Sequence, residues 1–220
     1  STVNNTSPSP VDYSQVISHS FESSGSSVII TLDGLATSFG DQNPILNALT
    51  LEQIDTSNNT DGIGTLTVTG GQINAGSIFT NGTLLVTNSD NSSITGTISN
   101  GVTSAAILSK AGSGTLTLSG TNTYSGNTTI SAGTIKLTGS VNALTDLSIA
   151  SGATLDLQAT QTFATLDLDG TITRSAGSSA LTITGASDIG GSITTSGSQT
   201  YSGAITLTAN TTLTSTADAI

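Results

Sequence analysis

The chain has 220 residues, of which 34% are hydrophobic and only 3% aromatic, with no Cys, Met or Trp. Three basic side chains stand against 14 acidic ones, which gives a net charge of −11. This balance excludes the basic surface that binding to nucleic acid or to an anionic membrane requires. The lack of cysteine excludes a disulfide framework, and no stretch approaches the ~20 apolar residues of a membrane-spanning helix. A thin solenoid core filled by Val, Ile, Leu and Ala fits this composition better than a globular core.

The first part of the chain is the least regular. Residues 1–27 are rich in Ser, Asn and Pro and predict a flexible or loosely docked leader, which contains the single histidine, His19. Residues 28–62 predict an irregular N-terminal part of a solenoid, and its first strand is expected over 27–35. Within it, Asn43 and Pro44 precede an apolar run that fits either a short helix capped by Asn43 or an extended loop.

Residues 63–220 show the clearest pattern, a period-2 alternation of aliphatic and hydroxyl residues broken by glycines. Strand-sized segments begin about every 8–12 residues, and similar phrases return after about 18–22. Three short strands per turn of that length predict an all-β, right-handed parallel β-helix, or β-solenoid. A sandwich or barrel also has regular short strands, but it ordinarily carries longer strands, Asn-Gly hairpin turns and core aromatics. The segments occur at 64–70, 82–88, 92–99, 114–120, 128–139, 145–157, 163–174, 179–185 and 202–215.

Internal repetition supports the solenoid. The phrase Thr-Tyr-Ser-Gly occurs at 123–126 and again at 200–203, each time before a strand-like segment. Tyr124 and Tyr201 are therefore expected at equivalent corners of the coil, with the ring packed and the hydroxyl in solvent. A chain that starts and stops within such a pattern is expected to be a segment of a longer processed polypeptide.

The run 108–139 carries the pattern in its densest form. The pattern begins with Lys110, Gly112 and Gly114, and a Thr-Leu-x-Leu-x-Gly segment follows them. The sequence Asn-Thr-Tyr-x-Gly then occupies 122–126, and Gly133 precedes the last strand. This run resembles the autotransporter-associated β-strand repeat of bacterial type V secretion passengers, while the remainder is similar to the looser repeats of filamentous-haemagglutinin-like giant adhesins. The resemblance implies an exported β-helical stalk on a bacterial surface, and it implies no catalytic residue.

Three sets of residues are candidates for chemistry. Asp156, Asp167 and Asp169 alternate with leucines and point outward, which would suit an acidic cluster in a polysaccharide-acting β-helix enzyme. Solvated carboxylates are the simpler interpretation, because short turns leave no loops to wall a cleft. Lys136, Asp156 and Arg174 lie about one coil apart and fit an outward ion-pair ladder.

Calcium is a further candidate ligand. Hard oxygen donors occur next to glycine turns at 167–170 and at 58–62. Neither segment matches a known calcium-binding loop, so turn formation explains them better. We predict no catalytic, cofactor or metal site.

Outward Thr-x-Thr pairs are the remaining surface feature. Regularly spaced hydroxyl groups on a flat solenoid face would suit ice binding, provided that the Thr-x-Thr pairs share one face at constant coil spacing. The pairs are separated by 50, 56, 11 and 24 positions, which argues against a shared face. They begin at Thr65, Thr115, Thr171, Thr182 and Thr206.

These observations together predict a non-enzymatic, structural and adhesive segment of an exported bacterial surface protein. The expected location is extracellular, on the cell surface. The expected partners are other surface proteins, glycans or further copies of the chain, with neither nucleic acid nor direct membrane insertion.

Overall fold

Parallel strands make up the regular structure of this chain. The computed structural model describes residues 27–31, 45–46, 65–69, 72–75, 78–101 and 104–217. Every strand pairing within these ranges is parallel, and none of the described residues is helical. Because each strand pairs with the strand one turn earlier and one turn later, the chain forms a β-solenoid.

The solenoid has three sides, which we call the first sheet, the second sheet and the third side. The first sheet has nine strands, which are β1 (Ser27–Thr31), β3 (Thr65–Thr69), β6 (Thr83–Val86), β9 (Ile107–Lys110), β11 (Thr128–Ile130), β13 (Leu147–Ile149), β16 (Leu166–Leu168), β19 (Ser187–Ile189) and β22 (Ile205–Leu207). The second sheet also has nine, which are β2 (Ile45–Leu46), β4 (Gln72–Ala75), β7 (Ser92–Ile94), β10 (Thr115–Leu118), β12 (Thr134–Leu137), β14 (Thr154–Leu157), β17 (Thr171–Thr173), β20 (Ser192–Thr195) and β23 (Thr212–Ser215).

The third side is less continuous. It contains a two-stranded sheet of β5 (Ile78–Thr80) and β8 (Ile98–Asn100) and a three-stranded sheet of β15 (Gln161–Phe163), β18 (Leu181–Ile183) and β21 (Gln199–Tyr201). Between them, two coils cross this side with only an isolated bridge from Thr121 to Ser140. The first and second sheets therefore provide the continuous hydrogen-bonded ladders.

Coil length varies while the register of the sheets does not. Leu84 pairs with Leu66, 18 positions earlier, and with Leu108, 24 positions later. Leu147 pairs with Leu166, 19 positions later. Paired strands of neighbouring coils remain in register residue by residue. The additional residues of longer coils therefore lie at the corners between strands.

The core is a set of aliphatic columns that run along the solenoid axis. From β5 to β20, alternate residues of most strands point inward and are buried, as in the buried–partly buried alternation of β10 and β12. Each fully buried Leu or Ile contributes about 1.5–3 kcal/mol relative to an exposed side chain. One column of the second sheet contains Leu116, Ile135, Leu155, Ile172 and Ile193, each at most 2% exposed.

The prediction of an all-β solenoid is confirmed by the parallel stacking. The expected first strand is present at Ser27–Thr31. The alternative of a short helix after Asn43 is wrong at Ile45–Leu46, which form a strand that pairs with Gln72 and Ile73. Residues 1–26, 32–44 and 47–64 lie outside the described residues, so the boundaries 1–27, 28–62 and 63–220 stay predictions.

Candidate interaction faces of the solenoid

The three candidate carboxylates do not share one face. Asp156 lies on β14 of the second sheet, whereas Asp167 lies on β16 of the first sheet and Asp169 directly follows that strand. Sequence spacing suggested one cluster because the flanking segments, Leu-Asp-Leu and Leu-Asp-Leu-Asp, are alike. The coil register places them on two different sides of the solenoid, so they are not assembled as an acid–base group.

Asp156 is instead a tightly bonded structural carboxylate. It is 7% exposed, and it accepts hydrogen bonds from the backbone N–H and the hydroxyl of Ser175, at 2.8 and 2.6 Å, and from the Gln158 amide at 2.8 Å. Burial alone would raise the pKa of Asp156, but these donors and the nearby Lys136 ammonium outweigh burial and lower it. Asp156 therefore remains ionised and joins β14 to the segment that follows β17.

The predicted ladder is correct only for the register of its first two residues. Lys136 and Asp156 are direct neighbours in the register of β12 and β14. The next residue in that column is Thr173, because Asp156 pairs with Thr173 on β17. Arg174 is one position further along, so the prediction that it continues the ladder is wrong. Its Nη1 donates to the Gly177 carbonyl.

The outer face of the first sheet is acidic. Asp167 pairs directly with Asp188 of the next coil, and both are exposed. Asp169 is also exposed nearby, and the carboxylate of Asp146 accepts a hydrogen bond of 2.7 Å from Thr165. Sequence reasoning missed Asp188, because its proximity to Asp167 depends on a 21-residue coil spacing that the sequence does not mark.

The calcium alternative gains no support from these groups. Within the part of the chain that the structure describes, no set of three or more His, Cys, Asp or Glu residues is arranged to hold a metal ion. The second candidate segment, 58–62, lies outside the described residues.

The outer face of the second sheet is different, because it consists almost entirely of hydroxyl groups. We call the outward residues of β10, β12, β14, β17, β20 and β23 the hydroxyl face. Its first column has a hydroxyl at every coil, namely Thr115, Thr134, Thr154, Thr171, Ser192 and Thr212. Its second column, two residues further along each strand, contains Thr117, Lys136, Asp156, Thr173, Thr194 and Thr214.

The expectation that irregular sequence spacing separates the Thr-x-Thr pairs is therefore only partly correct. The pairs that begin at Thr115 and Thr171 both lie on the second sheet, and Ser192 and Thr212 begin two more rows there. The pairs at Thr182 and Thr206 lie on the third side and the first sheet. Sequence spacing was a poor guide, because coils of unequal length keep a common register.

Polar side chains also occur inside the core. Lys110 is 0% exposed and points inward between Val86 and Ile130 of the adjacent coils. Its ammonium group donates a hydrogen bond to the Gly112 carbonyl, and burial lowers its pKa. Period-2 alternation places Lys110 on the same face as the buried Leu108. Its burial was not predicted, because lysine is almost never fully buried without a charged partner.

The two equivalent tyrosines are packed as predicted, but the prediction for the Tyr124 hydroxyl is wrong. Tyr124 is 0% exposed, and its hydroxyl lies 2.6 Å from the hydroxyl of Thr128. Tyr201 is partly buried and donates to the Gln199 side chain at 3.1 Å. Burial raises the pKa of both tyrosines to about 12.

The coils that contain Lys110 and Tyr124 also carry a recognisable family pattern. Residues 108–137 match the passenger-associated-transport-repeat family. This repeat is characteristic of autotransporter passenger domains, which confirms the suspected resemblance. It implies an exported, cell-surface protein. Comparison with curated proteins and with solved structures finds no match.

The glycines of the passenger repeat occupy corners where successive coils approach too closely for a side chain. A Cβ on Gly112 would lie 1.9 Å from the Asn88 carbonyl oxygen, and one on Gly133 would lie 2.3 Å from the Gly112 oxygen. Gly133 also has a φ of +69°, a conformation that glycine adopts at least cost. The repeat therefore specifies the geometry of winding.

Among the described residues there is no helix with the length and hydrophobicity needed to span a bilayer.

Proposed function

We propose that this chain is a rigid β-helical stalk within an exported bacterial surface protein, and that it serves attachment to other cells or surfaces. The observation that supports this proposal most directly is the passenger repeat at 108–137, set in the middle of two continuous nine-stranded ladders. Hydrogen bonds between coils run along the solenoid axis, so the rod resists bending and extension along its length.

The distribution of charge suits an extracellular stalk. The net charge is −11, and four carboxylates lie on the outside of the first sheet or at its margin. Mutual repulsion between such faces keeps neighbouring rods soluble and separate. Attachment is then expected through neutral parts of the surface, with cell-surface proteins, glycans or further copies of the chain as partners.

A structural role also explains the carboxylates better than catalysis does. Asp156 is ionised and its carboxylate accepts three hydrogen bonds. It lies on a different sheet from Asp167 and Asp169. A general acid requires a carboxyl group with a raised pKa inside a cleft. Asp156 has a lowered pKa.

The proposal is tested by displaying the chain on a non-adherent bacterium through a heterologous translocator. Protease resistance of the displayed rod reports folding, while cell sedimentation and binding to cultured cells report attachment. Leu116→Asp places a charge at a position that is 0% exposed and is expected to abolish both readouts. Thr129→Asp, on the outside of the first sheet, is the matched control and is expected to preserve them.

The two parts of the proposal separate in this assay. A displayed rod that resists protease but promotes neither sedimentation nor binding would refute the adhesive part and retain the stalk. Protease sensitivity of the displayed wild-type chain would refute the stalk itself.

A further inference from the structure

We propose that the hydroxyl face of the second sheet binds ice. This activity goes beyond attachment to cells and is independent of it. It rests on four properties of the face: hydroxyls without protein partners, two fixed spacings, the absence of net charge and the absence of outward aromatic rings.

The hydroxyls of this face are available to water. Ten of its twelve positions are Ser or Thr, and none of these ten side chains hydrogen-bonds to another protein atom. Outward hydroxyls elsewhere are frequently used within the fold: Thr87 donates to the Val68 carbonyl, and Thr165 donates to Asp146. Each free hydroxyl is both a donor and an acceptor, as a water molecule is.

The spacing of the hydroxyls is fixed in two directions. Strands of adjacent coils lie about 4.8 Å apart, and outward residues two positions apart on one strand are separated by about 6.7 Å. Both distances are close to oxygen–oxygen repeats on the faces of hexagonal ice. Threonine holds this array well, because its β-branched side chain has few χ1 rotamers and its methyl group limits competing hydration.

Charge complementarity favours a neutral partner. The two charged residues of the face, Lys136 and Asp156, have opposite signs and are direct neighbours, so the face has no net charge in a chain of −11. Beyond them, the rows of β17, β20 and β23 form an uninterrupted block of six hydroxyls. The acidic first sheet would instead orient water around its carboxylates and disrupt an ice-like layer.

Neutral glycans are the competing partner, and the face lacks the feature that would select them. Sugar rings are commonly held by stacking on aromatic side chains, and the outward residues of β10 to β23 on this sheet include no aromatic ring. A two-dimensional array of hydroxyls matches a crystal plane rather than a single glycan chain.

The test is thermal hysteresis and inhibition of ice recrystallisation by the purified chain. Thr194→Tyr inserts a ring into the middle of the six-hydroxyl block, where Thr194 is adjacent to Thr214 of the next coil. Thr182→Tyr on the third side is the matched control, since Thr182 also lies between threonines, at 162 and 200. Both variants keep a strand-favouring residue, and circular dichroism melts verify that they fold.

We expect the wild type and Thr182→Tyr to shape and inhibit ice growth, and Thr194→Tyr to lose most of this activity. No activity in the folded wild type, or equal activity in Thr182→Tyr and Thr194→Tyr, would overturn the proposal.

Binding to crystalline cellulose or chitin without binding to ice would overturn it in favour of a glycan. The cell-attachment assay is performed above freezing and does not depend on ice. The outcomes for ice binding and for adhesion are therefore distinguishable.

Discussion

The buried lysine offers the most direct test of how this solenoid is stabilised. Lys110 occupies an inward position between Val86 and Ile130, is 0% exposed, and has one hydrogen-bond acceptor, the Gly112 carbonyl. Lys110→Met retains the length of the side chain and removes its charge. Loss of the hydrogen bond costs about 1 kcal/mol, whereas transfer of an ammonium group out of water costs several.

The variant is therefore expected to be more stable than the wild type at pH 7, by about 1–3 kcal/mol. The pH dependence has a definite sign. Because burial lowers the pKa of Lys110, the unfolded chain binds more protons than the folded chain between the lowered pKa of the folded state and the ordinary lysine pKa of 10.5. Wild-type stability from this group then rises with pH across that window, and the advantage of Lys110→Met shrinks as the pH approaches 10.

Urea unfolding at pH 7 and pH 10 measures this effect. With an m-value of about 2 kcal/mol/M, the midpoint of Lys110→Met is expected about 0.5–1.5 M above that of the wild type at pH 7. Lys136→Met, on the outer face, is the control and is expected to change the midpoint little. A Lys110→Met variant that is less stable than the wild type at both pH values would refute the reasoning, since it would mean that the ammonium group is well solvated inside the coil.

Further predictions concern other parts of the coil. Gly133→Ala is expected to lower the melting temperature more than Gly152→Ala, because both have φ near +70–80° but a Cβ would meet a carbonyl oxygen at 2.3 Å only at Gly133; equal losses would contradict the close approach of the coils. Tyr124→Phe is expected to cost about 1–2 kcal/mol in urea unfolding, because the buried hydroxyl bond is lost. Since the pKa of Tyr124 is raised to about 12, wild-type stability should fall as the pH rises above 10, and an identical pH profile in Tyr124→Phe would exclude this tyrosine as a cause. Asp156→Asn is expected to be destabilising at pH 7 and nearly neutral at about pH 2 in acid-unfolding curves, because a lowered pKa contributes stability that is lost on protonation; a constant deficit at all pH values would contradict this.

The fold was predictable from the sequence because alternation and glycine spacing act locally. The segments 114–120 and 128–139 each contain the strands that they predicted. Each Thr-Tyr-Ser-Gly sequence ends two positions before a strand of the first sheet begins, at Thr128 and at Ile205. Strands with polar inward residues were harder to find. Gln161 and Gln199 begin β15 and β21 and point into the core, so the apolar half of the alternation is missing there.

The arrangement of the faces could not be predicted in the same way. It depends on which residues of neighbouring coils share a register, and coil lengths that range from 17 to 38 residues remove any fixed period from the sequence. The proximity of Asp167 and Asp188, and the alignment of Thr115 with Thr134 and Thr154, appear only when the strands are paired.

Unequal coil lengths also have an evolutionary consequence. A residue inserted at a corner lengthens one coil and leaves the alignment of every other coil unchanged, because each strand is held by its own neighbours. Loops at the corners can therefore diverge rapidly while the flat faces persist. A protein of this kind can acquire new recognition loops one coil at a time, and related sequences will differ most in length at the corners and least in the residues that stack between them.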